Sequence, residues 1–253
     1  MEKLAHKDLL DAGVHFGHLT RKWNPAMAPY IFMEKNGIHI IDLHKTLKNL
    51  DDATEAMKAI VRSGRKIMFV ATKKQAKEVV ETEAQKLNMP YVTERWLGGM
   101  LTNFSTIRKS LKKMAGIEKM MKEEAYQNLA KRERLMITRE KDKMRKVLGG
   151  IADLNRLPAA LFVIDIKREH IAISEAQKLN IPVFGIVDTN SDPTKIDYPI
   201  PGNDDSFKSI QLITSYIGKS LEEGLAERKR DKEEQAKAEE EAAKKAADEK
   251  ATA

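Results

Sequence analysis

A chain of 253 residues, 42% hydrophobic and 33% charged, is long enough to bury a sizeable core in one large domain or two small ones. Its longest apolar stretches, such as 159–164, fall far short of a bilayer span, which excludes a transmembrane protein. The absence of cysteine removes disulfides, thiol nucleophiles and thiolate-bound zinc, and the first residues lack the apolar core of a secretory signal. A cytoplasmic protein is expected. The formal charge of +7 is localised: residues 104–148 hold 14 Lys and Arg against 6 Asp and Glu, the tail 226–253 holds 8 against 9, and the rest is neutral. An acidic partner for 104–148 follows.

In chain order, the first β-branched run is 38–41, after which Asp42 is expected to cap a helix that continues to about Arg62 and stops at Gly64. A second run, 66–71, leads into a helix that Thr72 would cap. From Phe104 the apolar positions Phe104, Ile107, Leu111, Met114, Ile117 and Met121 recur every three or four residues, which makes one helical stripe. After a break near 126–128, Leu129, Met136, Met144, Val147 and Leu148 mark a second, more charged helix that ends at Gly149-Gly150. The pair predicts an antiparallel coiled-coil hairpin inserted at 104–148. Two further runs, 160–164 and 183–187, and a helix capped by Asp204, Asp205 or Ser206 with Ile210, Ile213, Ile217 and Leu221 on its inner face complete the core. Alternation of runs and helices predicts an α/β fold with a parallel sheet flanked by helices, Rossmann- or flavodoxin-like, formed by 1–103 and 149–225. The tail, without aromatics, reads as a disordered or solvated helical segment.

A doubly wound sheet raises the possibility of a nucleotide-dependent enzyme, yet neither glycine-rich phosphate fingerprint is present, nor H-E-x-x-H, nor G-x-S-x-G. No catalytic residues and no cofactor are expected. His15 and His18, with Asp188 or Asp192, leave open a metal site or simple local hydrogen bonding. Asp165, Asp188 and Asp192 lie at strand ends, where α/β enzymes hold ligands and where Asp also serves turns.

The remaining motifs combine cations, aromatics and small polar residues: Thr20-Arg21-Lys22-Trp23-Asn24-Pro25 and Arg95-Trp96-Leu97-Gly98-Gly99-Met100-Leu101-Thr102-Asn103-Phe104, followed by Arg108, Lys109 and Lys112. Arg and Lys bind phosphates, indoles stack on bases, and glycines let a backbone approach a sugar-phosphate chain. For Trp23 and Trp96 the competing role, anchoring the loops to the core, is the favoured one, since buried aromatic anchors are common. Thr72-Lys73-Lys74-Gln75, at a strand-to-helix junction, suits an anion or a solvated face. The RNA-contacting candidates are Arg21, Lys22, Trp23, Asn24, Lys73, Lys74, Arg95, Trp96, Thr102, Asn103, Arg108, Lys109 and Lys112.

These two motifs, together with Gly13-Val14-His15-Phe16-Gly17-His18, the 160–165 and 181–193 segments and Ile200-Pro201-Gly202-Asn203-Asp204-Asp205, closely resemble the bacterial ribosomal protein S-two family over about residues 5–222. The resemblance implies a non-enzymatic structural protein of the small ribosomal subunit that binds its ribosomal RNA and neighbours and helps recruit ribosomal protein S-one. A nucleotide- or sugar-phosphate-binding α/β enzyme and a hairpin-based protein adaptor are the alternatives from other function classes.

Overall fold

The computed structural model describes residues 4–251, with the side chains of 124, 125, 232 and 235–251 outside the description. Its centre is a five-stranded parallel sheet: β4 (Ile67–Val70), β5 (Tyr91–Val92), β6 (Ala160–Ile164), β7 (Val183–Val187) and β8 (Tyr198–Pro201), in the order β5-β4-β6-β7-β8. The three inner strands are buried at every residue, because helices cover both faces and an unbroken apolar run satisfies both. β8 carries Pro199 and Pro201, which cannot donate to a ladder and fit an edge.

Alternate side chains sort into two cores. Phe69, Phe162, Ile164, Phe184 and Ile186 pack under α2 (Leu43–Arg62), α3 (Lys74–Lys86) and α8 (Phe207–Ala251). Met68, Val70, Leu161, Val163 and Val187 face α7 (His170–Lys178), the Trp96 loop and the base of the helical insertion. Asp42 caps α2 as expected, accepting from the His44 N–H at 3.0 Å, and the helix ends just before Gly64, with Ser63 between them. Thr72 does not cap α3. Lys73 holds that position without a side-chain cap, because the Thr72 hydroxyl is bound to Glu169. At the start of α8, Asn203 Oδ1 accepts from the N–H groups of Asp205 and Ser206 and so shapes the turn into the helix.

The run 38–41 is a strand, but it lies outside the parallel sheet. β3 (Ile38–Ile41) is the centre of a separate antiparallel sheet, between β1 (Phe16–Leu19) and β2 (Ile31–Lys35), with the short α1 (His6–Asp11) before it. Asn36 and Gly37, at φ 54° and 73°, make the two-residue turn that returns β2 into β3. Gly17 joins this small sheet to the large one, since a Cβ there would stand 2.6 Å from Thr189.

The insertion consists of α4 (Phe104–Met120), the short α5 (Glu124–Gln127) and α6 (Lys131–Leu148), with α4 and α6 in contact and Lys113 paired to Glu140 at 2.5 Å. The α4 stripe lies inward, and Ile107, Leu111 and Met114 belong to the same core as the sheet. On α6 the inner seam runs through Ile137, Thr138 and Met144, while Met136 is 63% exposed. A one-residue phase error separates that helix from its reading by hydrophobicity alone. The helix α8 continues through the expected tail without a break to Ala251, and residues 252–253 of that tail lie outside the described residues. Lys58 of α2 meets Glu227 at 2.7 Å and Arg62 meets Asp231 at 3.0 Å, so the early tail lies along α2.

Candidate nucleic-acid interface

Cationic side chains of the 20–25 loop and of α4 point outward. Arg21, Lys22, Arg95, Arg108, Lys109 and Lys112 are exposed, as is Lys74 at the first turn of α3. On α4 the three cations occupy the face opposite the Ile107–Leu111–Met114 stripe, as a 3.6-residue period requires. Trp23 is 39% exposed, with its ring 5.2 Å from that of His39. Its neighbour Asn24 faces inward: the Asn24 N–H donates to the Thr189 carbonyl at 2.8 Å, and its side chain accepts from the Ala26 N–H at 2.9 Å.

The second tryptophan differs. Trp96 is 6% exposed, and its indole N–H donates to Glu175 Oε1 at 3.1 Å. Glu175, buried on α7, also accepts from the N–H groups of Gly99 (2.7 Å), Leu101 (2.9 Å) and Thr102 (3.0 Å) and from the Thr102 hydroxyl (3.1 Å). Burial works against its ionisation, but these donors outweigh it and hold the carboxyl below its usual range. Gly99, at φ 85°, supplies the left-handed residue that turns the loop around the carboxylate. Asn103 closes the loop: its N–H donates to the Gly99 carbonyl, and its side chain accepts from Thr106. The 95–103 loop is therefore a shell wrapped on one internal anion, with Arg95 on its outside. Trp96 sits in that shell as an anchor.

Lys73 is likewise engaged from within the protein. Its ammonium reaches Asp205 at 2.6 Å, Asp204 at 2.7 Å and Asp165 at 3.5 Å, so the anion it meets belongs to the protein. Burial opposes the charge, and the carboxylates prevail and raise its pKa. Beside it, His18 contacts Asp188 at 3.0 Å and Asp205 at 3.4 Å, and the bond to Asp188 raises the imidazole pKa. One ammonium and one imidazole thus face four carboxyl groups. Burial and then Asp188 push the Asp204 carboxyl up to about 7, in keeping with its buried second oxygen, which has no hydrogen-bond partner.

This cluster also redraws the metal candidates. The His15 ring lies tilted against Phe16, 4.0 Å between centroids, and Asp192 accepts from Thr194, so neither joins His18. His18, Asp188, Asp204 and Asp205 instead offer ligand atoms that all lie within 4.8 Å of one another, one imidazole and three carboxylates, a donor set that suits a divalent cation. Asp188 and Asp204 follow β7 and β8, and the adjoining Lys73 and Asp165 follow β4 and β6, where the strand order reverses and doubly wound enzymes bind phosphates. Here that place is acidic, and its lysine is already engaged by carboxylates, which repel a phosphate.

A model of the family described as ribosomal protein S2 matches residues 9–224. The chain belongs to the ribosomal protein S2 family. It is 69% identical to the small ribosomal subunit protein uS2 of Cytophaga hutchinsonii over 247 residues, 98% of this chain and 97% of the relative. The proteins of that name from Flavobacterium johnsoniae and Bacteroides thetaiotaomicron are each 62% identical, covering 91% and 92% of this chain and 91% and 84% of theirs. As a member of the S2 family the chain is a structural ribosomal protein and not an enzyme. No helix among its described residues is long and apolar enough to cross a membrane. Within the family motifs, the sequence marks the cations that stay outside. It does not mark Glu175, whose donors lie 73 to 79 residues away along the chain.

Proposed function

We propose that this chain is a structural constituent of the small ribosomal subunit that binds ribosomal RNA through its outward cations in the cytoplasm. The observation that carries the reading is the contrast of charge: Arg21, Lys22, Arg95, Arg108, Lys109 and Lys112 are exposed while Asp188 and Asp204 at the strand ends are buried. Exposed Trp23 adds a stacking surface beside Arg21 and Lys22, and the Thr102 and Asn103 backbone brings α4 to the same RNA. In this reading the S2-family fold divides into the sheet core and an outer coiled-coil hairpin that extends the basic surface.

Recruitment of ribosomal protein S-one is the second part of the proposal. It is supported by an apolar surface on the small sheet, where Leu10, Phe32 and Met33 are 54%, 71% and 48% exposed around a groove of about 290 Å³. Exposed patches of that kind mark protein contacts.

Lysate sedimented through a gradient at moderate salt is expected to carry the protein with the small subunit, and high salt to strip it as counterions return to the RNA. Protein that stays at the top at moderate salt sinks the reading. Arg108→Glu with Lys112→Glu is expected to weaken RNA binding and make its salt dependence shallower, with little change in thermal midpoint. Replacing residues 116–141 by a short flexible linker is expected to leave the sheet core folded, because it spares Ile107, Leu111 and Met114 and the entropy of closure is small. Circular dichroism melts of that variant check the division. A chain that no longer melts cooperatively refutes it.

A further inference from the structure

A crevice of about 430 Å³ opens beyond the carboxyl ends of β6 and β7, between α7 and the 189–195 loop, outside the acidic cluster and apart from the hairpin. Its floor is aliphatic: Ile166 and Ile173 lie beneath it, 5% and 3% exposed. Its rim is basic: the cations Lys167 and Lys195 and the imidazole of His170 stand on it, all exposed, and among the described residues the side chains of Lys167 and His170 enter no ion pair. The one carboxylate on the rim, Asp192, is turned onto the Thr194 N–H and hydroxyl, which hold its pKa down. Asn24 lines the same crevice and is continuous with Arg21, Lys22 and Trp23.

From this arrangement we infer that the crevice receives one unpaired ribonucleotide, its base against Ile166 and Ile173 and its flanking phosphates on Lys167, His170 and Lys195. An aliphatic floor accepts the face of any base. The volume lies in the range of small-ligand pockets, so a single extruded nucleotide fits and a duplex does not. Gln177, Asn190 and Ser191 form the wall and are held in place from within: the Gln177 amide donates to the Lys195 carbonyl, the Ser191 hydroxyl to Asn190 Oδ1, and Asn190 Nδ2 lies 3.0 Å from His18 Nε2. The inference rests on the RNA-binding reading above and names a part of that surface selective for single strands.

The test uses the full chain and two probes, a fluorescein-labelled single-stranded oligoribonucleotide and a blunt duplex of equal length. Ser174, exposed on α7 at the crevice wall, is changed to phenylalanine to fill the space without altering charge. Ser174→Phe is expected to weaken single-strand binding by about ten-fold, within the range of one lost base stack, and to leave duplex binding unchanged. The double variant Lys167→Ala, Lys195→Ala supplies an independent arm should the Ser174→Phe chain fail to fold. It is expected to reduce the single-strand salt slope by about 1.4, two phosphate contacts' share. Should neither variant shift single-strand affinity while Arg108→Glu with Lys112→Glu still does, the crevice is refuted and the RNA reading stands. Equal loss on both probes with Ser174→Phe also refutes it. Failure of the unaltered chain to bind either probe or small-subunit RNA brings down the RNA reading, and the crevice with it.

Discussion

Glu175→Ala is expected to destabilise the protein by about 4 kcal/mol, because it leaves the indole N–H of Trp96, three backbone N–H groups and the Thr102 hydroxyl facing an apolar hole. In a chain of this length that is a fall of roughly 10 °C in thermal midpoint. Glu175→Gln keeps the shape, but its NH2 group confronts donors, so it recovers only part of the loss. Trp96→Ala truncates the aromatic on the other side of the bond and is expected to cost about 3 to 5 kcal/mol. Combined, the two should cost less than their sum, since each removes the other's partner. The pH dependence has a defined sign. A carboxyl whose folded pKa lies below its ordinary value stabilises the fold above that ordinary value, 4.5, and the contribution is lost as pH falls through the folded pKa. Acid unfolding of the wild type should therefore contain a component below pH 4.5 that Glu175→Gln lacks. Melts of the three variants across that range decide it, and a Glu175→Ala midpoint within about 2 °C of wild type sinks the account.

Lys73→Ala is expected to be comparably severe, about 3 to 5 kcal/mol, because it abandons Asp204, which is 1% exposed, among further carboxylates. Removing one of the repelling charges should restore part of the loss, so Lys73→Ala with Asp204→Asn is expected to melt higher than Lys73→Ala alone. An unchanged melt for Lys73→Ala means that the ammonium is not what neutralises the cluster. Were Lys73 instead an RNA contact, its removal would lower RNA affinity and leave the melt where it was.

The inner strands were legible because they are buried on both faces, so β4, β6 and β7 read as unbroken apolar runs. The bounds of α2 were legible because Asp42 and Gly64 act locally. The Asn36-Gly37 dipeptide carried the evidence that 38–41 is half of a hairpin, and assigning that run to the parallel sheet ignored it. β5 and β8 escaped notice for physical reasons: one is two residues long, and the other alternates with proline. On α6, Ile137 and not Met136 lies inward, a choice set by contact with α4 that composition does not encode. Lys73 and Trp96 illustrate one ambiguity. A lysine or a tryptophan in a motif announces that it will meet an anion or an acceptor, but the sequence does not say whether that partner is a phosphate outside or a carboxylate inside. Lys73 and Trp96 found theirs in Asp204 and Glu175.

One face of the parallel sheet is closed by α8, whose Ile210, Ile213, Ile217 and Leu221 lie against Phe162 and Phe184. Those residues are synthesised after every strand of the sheet, whereas β4 and α2 emerge far earlier. Until α8 arrives, a growing chain presents the aromatic side of its sheet to its surroundings, in the form most prone to misassociation. The fold therefore ties completion of the core to the emergence of its last helix. Chains arrested before residue 207 should be substrates for chaperones or proteases, and the long charged stretch that follows Leu221 keeps the closing helix in water until it docks.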